Sequence, residues 1–298
     1  MTASAPISGG SRRSYLHRSG RMLVAPAVVM LLATSILPFI ATVRFSLIDY
    51  RLLGPEKHMF VGLTNYTRLL TDPAFLPALG NSLVLIAQVL AISIGLGLGI
   101  ALLLERAVIG RGILRVLVVS PFFVMPPVSA LLWKNLLMAP VSGFFAWIAS
   151  LVGLPAFDWF ARAPLSSIAL IVAWQWLPFA CLILLTSLQA FDREQREAAQ
   201  LDGASSLTIF RYLVLPHLAR PIAIVVMMET IFLLSVFAEI FVTTGGGRAS
   251  SNLAFLVYSQ VMFQFDIGAA SAAGLVAVIF ANILAYFLVR AVGRSLDA

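Results

Sequence analysis

Long charge-free apolar stretches decide what this chain can fold into. From Met22 to Val43 no residue is charged, and Arg21 and Arg44 bound the run. Comparable stretches cover Pro73 to Leu104, Val116 to Trp133, Ala163 to Phe191 and Ile267 to Val289. Pro221 to Ala238 is interrupted only by Glu229. Roughly 20 apolar residues in a helix cross the hydrocarbon core of a bilayer. The expected fold is therefore all-α, a polytopic membrane bundle of about six helices. Composition agrees: 60% of the 298 residues are apolar and 11% charged, against ~25% charged in ordinary soluble domains.

Asn135 to Phe157 is also uncharged, but Pro140, Gly143, Gly153 and Pro155 divide it. Its core, Phe144–Leu154, suits an interfacial or re-entrant helix, and a seventh span stays open there. Leu253–Phe263 is similarly short and is expected at the outer surface. Residues 1–21 read as a cytoplasmic tail, disordered over 1–20 where Ser, Gly and Arg dominate. Residues 22–290 form the transmembrane domain, with a cytoplasmic loop at 190–220, and residues 291–298 a second tail. The first apolar run is too long for a cleaved signal peptide and no A-x-A site follows it.

With the N-terminus inside, 13 Lys and Arg fall on inner segments and 7 on outer loops, the latter including Arg44, Lys134 and Arg248. The positive-inside bias places both termini in the cytoplasm. The net charge of +7 comes with only two lysines and no basic run, so nucleic acid is not an expected partner; membrane lipid is.

Little here suggests catalysis. His17, His58 and His217 fall outside the expected spans, and Cys181 is the single cysteine, so no metal ligand set is expected. Lys57 and Lys134 follow Glu and Trp, whereas a Walker A loop needs Gly-Lys. No G-x-S-x-G or H-E-x-x-H occurs either. Glu229 lies inside a span and Glu239 near the outer end of the same helix; such a carboxylate marks either a transport path or a packing hydrogen bond.

The fourth loop is the long charged segment on the inside. It reads Asp192-Arg-Glu-Gln-Arg-Glu197-Ala198-Ala199-Gln-Leu-Asp202-Gly203-Ala, and continues to Leu213-Val-Leu215-Pro216. Ala198, Leu201 and Ala204–Ser205 recur at helical spacing, which predicts a short amphipathic helix ending in a turn at Gly203. A second short helix would end near Pro216.

This segment resembles the EAA loop of permease subunits in binding-protein-dependent ABC importers: E-A-A, three residues, Gly, nine residues, then I-x-L-P. Leu213 stands where that pattern usually has isoleucine. The resemblance implies that Glu197 pairs with a basic residue of an ATPase, that Ala198 and Ala199 allow close approach, and that Gly203, next to Asp202, makes the turn. It implies four kinds of partner for the chain: a second permease, an ATPase dimer that binds ATP and magnesium, an outer solute-binding protein, and a small polar solute. No cofactor is expected in this chain. The location implied is a bacterial inner membrane.

Phe60-Val-Gly-Leu-Thr-Asn-Tyr66, with Leu69-Leu70, Asp72-Pro73 and Phe75, is similar to the first outer loop of maltose and glycerol-phosphate type importers, especially the first permease paralogue. Phe237 to Ala281 looks most like the sorbitol/mannitol branch. Its outer turn, Thr243-Thr-Gly-Gly-Gly-Arg248, lacks the proline of the usual Gly-Gly-Pro. Trp174, Gln175 and Asn282 are candidates for a sugar path beside Glu229 and Glu239, because rings stack on sugar faces and amides bond hydroxyls. Interfacial anchoring and packing are the alternatives. Gly95, Gly97 and Gly99 permit close helix approach. A self-sufficient, ion-driven secondary transporter is the rival function, and it would lean on Glu229.

Overall fold

The computed structural model describes residues 10–53, 59–106 and 110–296. α1 (Gly10–Ser46) leads into a two-stranded antiparallel ribbon, β1 (Ile48–Asp49) with β2 (Met59–Phe60), then α2 (Thr64–Thr71) and α3 (Phe75–Arg106). α4 (Arg111–Val119) passes through a 3-10 turn at Ser120–Phe123 to α5 (Pro126–Leu132) and a π-helical turn at Trp133–Leu137. α6 (Phe144–Leu151), α7 (Trp159–Arg162), α8 (Pro164–Ala190) and α9 (Arg193–Leu201) follow. α10 (Ser206–Ile209) continues through a second π-helical turn, Phe210–Val214, into α11 (Leu215–Leu233). α12 (Ala238–Thr243), α13 (Leu253–Met262) and α14 (Ile267–Leu296) complete the described chain.

Among the described residues five helices are long and apolar enough to span, or six if one bent pair counts as a span. That pair corrects the straight third span expected at Val116–Trp133: Gly112–Phe123 and Pro126–Leu137 meet at 105°. Pro126 and Pro127 supply no N–H, and a residue before proline is driven out of the helical region. Met125 is accordingly extended, at φ −60° and ψ 136°.

The expected fifth span is also divided. α11 stops at Leu233 and α12 starts at Ala238, so Glu239 lies on a separate short helix and not at the end of the one that carries Glu229. The Ser235 hydroxyl bonds back to Phe232 O at 2.7 Å, a contact that bends helices by competing with the ladder. At its other end the span is longer than expected. Ser206 to Leu233 forms one helical run, so no helix ends at Pro216, and His217 lies within the run. The π-helical turn just before Pro216 rearranges bonding where proline has no N–H to give. Residues 10–20, expected to be disordered, are helical and continuous with the first span.

α6 has eight residues, none buried, as suits a segment that does not cross. α13 packs against α3 and α14 with Leu253, Phe255, Leu256 and Gln260 buried, so one side of it is built into the bundle. α3 and α8 form the central pair. They approach closely at Gly97: a methyl there would lie 3.1 Å from both Ala180 Cβ and Cys181 N. One apolar cluster joins Leu85, Val89, Ile168, Val172, Leu233 and Ile240. A second, nearer α9, joins Ala101, Leu104, Leu184, Leu188, Ile209 and Leu218.

The loop Phe60–Tyr66 has a packing role. Asn65 Nδ2 donates to Ser46 O and Ile48 O, each at 2.9 Å, and Tyr66 Oη lies 2.8 Å from Ser46 Oγ. These bonds tie α2 to the end of α1. The turn after α12 is held by Asn81 Nδ2, which donates to Arg248 O at 3.1 Å and Ser251 O at 2.8 Å.

Candidate functional site

α9 forms for local reasons. Asp192 Oδ1 accepts from Glu194 N at 2.9 Å, an N-cap that satisfies one orphan donor of the first turn. The helix ends where glycine was expected to end it. Gly203 has φ +81°; Gly203 N donates to Gln200 O and Ala204 N to Ala199 O, both at 3.0 Å. A left-handed residue closing the helix in this way suits glycine. Ser205 then caps α10 by accepting from Thr208 N.

The two faces of this helix–turn–helix differ. Arg196 Nη1 donates to Glu105 Oε1 at 2.9 Å, and its guanidinium carbon lies 5.6 Å from the centre of the Phe191 ring. Ala199, Ala204, Phe210 and Leu213 pack on the apolar cluster beneath. Glu197, Ala198, Asp202, Leu215 and Pro216 face outward, and so do Leu201, 89% exposed, and Leu207, 75% exposed. Ala199 is thus half-buried against the bundle while Ala198 is exposed.

The expected path residues have separate surroundings. Glu229 is fully buried and accepts from Ser93 Oγ at 2.6 Å through Oε2, while Oε1 has no partner. The bond joins α11 to α3. Glu239 is buried in α12. Trp174 lies edge-on to Trp133 at 5.8 Å, inside an aromatic cluster with Phe145 and Trp159. Asn282 is exposed, donates to Val278 O at 2.8 Å, and lines an apolar groove between α11 and α14.

Gln175 has a bond to the backbone at a helix break. Its Nε2 donates to Val124 O at 3.0 Å, the carbonyl stranded at the break between α4 and α5. The second break is treated alike: Asn252 Nδ2 donates to Val236 O, and Asn252 Oδ1 caps α13 by accepting from Phe255 N at 2.8 Å. In a bilayer, freed backbone groups have no water to turn to and must find partners in the protein. α5 and α12, the segments that follow the two breaks, pack on each other. Lys134 Nζ secures them by donating to Val242 O at 3.2 Å and Thr243 O at 2.6 Å at the C-terminal end of α12. Lys134, expected on the outer side, is drawn to the partial charge on those carbonyls. Ser93 and Asn252 were not singled out from sequence. The available signal was a polar residue in or beside an otherwise apolar run.

Residues 91–298 match the family model for the binding-protein-dependent transport system inner membrane component. A probable ABC transporter permease protein of Sinorhizobium fredii is 33% identical over 94% of this chain and 93% of its own length. The trehalose/maltose transport system permease protein MalF of Thermococcus litoralis is 34% identical over 84% of this chain and 86% of its own. The fold is similar to a solved bacterial ABC transporter involved in the import of the acidic polysaccharide alginate, with TM-score 0.78, 19% identity, and coverage of 95% of this chain and 96% of that one. The chain therefore belongs to the family of binding-protein-dependent transport system inner membrane components, and it is a multi-pass permease subunit of an ABC importer rather than an enzyme.

Proposed function

We propose that this permease forms one half of a translocation pore and passes a small carbohydrate inward, driven by an ATPase dimer that binds ATP and magnesium. The observation that carries this reading is the two-faced helix–turn–helix: α9 is anchored inward by Arg196 and Ala199 and presents Glu197, Ala198 and Leu201 outward. An exposed leucine beside a carboxylate and a small residue is suited to seat in a cleft with a basic rim. Closure of the ATPase dimer would move α9 as a lever, and α3 and α8 with it, between two packings.

The second permease would complete the pore and a binding protein would deliver the solute from outside; the family's description supports that partner. The arginine bias supports both termini in the cytoplasm of a bacterial inner membrane. A disaccharide of the trehalose/maltose kind is the first solute to test, on the named relative. A polyol is the second, on the resemblance of Phe237 to Ala281.

The test is to purify the tagged chain from its own membranes and identify co-purifying proteins, then to measure ATP-dependent uptake by the complex in vesicles. A second permease and an ATPase should be recovered, and Glu197→Lys should reduce ATPase recovery. Uptake that persists with no ATPase, following an ion gradient, would overturn the proposal.

A further inference from the structure

Arg115 stands where two concavities of unlike character meet. One is polar, about 610 Å³, between the end of α3, α4 and α9, and lined by Glu105, Arg115, Arg193, Arg196 and Glu197 among others. The other is an apolar groove of about 430 Å³ along α4, lined by Arg115 with Val116, Val119, Ser120 and Phe123. Phe123 is 78% exposed. Arg115 Nε is buried and has no hydrogen-bond partner, a costly state for a charged group's donor. Arg196 is engaged by Glu105, which leaves Arg115 and Arg193 to face the cavity.

We propose that this junction seats one anionic phospholipid, with its phosphate on Arg115 and Arg193 and one acyl chain along Val116–Phe123. Guanidinium groups match phosphate oxygens in geometry and charge, and basic pockets between membrane helices take lipid headgroups. Among the described residues that line it, three arginines against two glutamates give one positive charge. That balance suits a phosphodiester with one negative charge better than a phosphomonoester, which approaches two. The apolar groove beginning at the same arginine selects a lipid over a free anion. The site shares Glu197 and α9 with the coupling surface proposed above, and its test reads lipid retention, which does not require the ATPase assignment to hold.

The full chain, purified in mild detergent, would be offered phosphatidylglycerol, phosphatidylcholine or inorganic phosphate, and bound molecules counted by native mass spectrometry. Phosphatidylglycerol should be retained about five- to tenfold better than phosphatidylcholine. Arg115→Gln should remove most of that preference, and Val119→Trp, which fills the groove, should lower retention with the arginines intact. If Arg115→Gln loses helicity by circular dichroism, Arg193→Gln on the exposed side of α9 decides the point. Equal retention of the two lipids, or preference surviving in both arginine variants, would overturn the proposal. Displacement of the lipid by excess inorganic phosphate would reassign the cavity to a free anion, and displacement by the second permease would reassign the groove to a subunit contact.

Discussion

Arg196 on α9 and Glu105 at the end of α3 form an ion pair of 2.9 Å, the described salt bridge that links the outward-facing helix to the membrane bundle. The pair is partly exposed, so its energy is modest, about 0.5–1 kcal/mol. Its consequence is geometric: the pair ties α9 to the end of α3, and α3 is packed along α8.

Glu105→Gln should therefore loosen α9 without unfolding the bundle. Amide hydrogen exchange should speed up over residues 193–201 and stay slow in the buried centre of α8. Unchanged protection in α9 would show that its apolar contacts hold it unaided.

Gly203→Val forces a β-branched residue into φ +81°, at a cost of about 1–3 kcal/mol. The protein should still reach the membrane, because the spans do not depend on this turn. ATP-driven uptake per copy should fall several-fold. Normal uptake at normal membrane abundance would remove Gly203 from the transmission path.

Gln175→Leu strands Val124 O in an apolar setting, an expected loss of about 1–3 kcal/mol. The signature is a lower unfolding temperature in detergent with substrate affinity unchanged. Should affinity fall while stability holds, Gln175 touches the solute and the break is held by other contacts.

Glu229 and Ser93 should be energetically linked. In a double-mutant cycle with Glu229→Gln and Ser93→Ala, the interaction energy should lie near 0.6–1.7 kcal/mol, the range for hydrogen bonds between membrane helices. Additive losses would mean the 2.6 Å contact contributes nothing, and a changed transport KM in Glu229→Gln would place this carboxylate on the solute path.

Lys134→Met removes both bonds to the C-terminal end of α12. α12 should become more accessible to a thiol reagent at a cysteine introduced at Phe241, which is exposed on that helix, with α8 unaffected. Equal labelling rates in the two backgrounds would count against a clamp.

Much of this protein was legible in linear order because the bilayer penalises charge and unpaired backbone so heavily. A run such as Ala163–Phe191 can satisfy its backbone only as a helix, and α8 occupies nearly all of it. The turn at Gly203 was equally local: one residue tolerates positive φ, and the helix before it has its cap in Asp192. The breaks were only half legible. Pro126 and Pro127 announce that α4 cannot continue straight, yet the 105° bend is held by Gln175, fifty-one residues away in sequence. The break before α12 carries no proline, and its carbonyl is taken by Asn252 from beyond the next turn. Gln175 and Lys134 have tertiary partners that linear order does not reveal. Helix formation and membrane crossing are decided within one segment, by hydrogen bonds and transfer energies that do not depend on neighbours. Where a helix bends, and which polar side chain completes it, depends on groups that meet only after α3, α8 and α11 have packed.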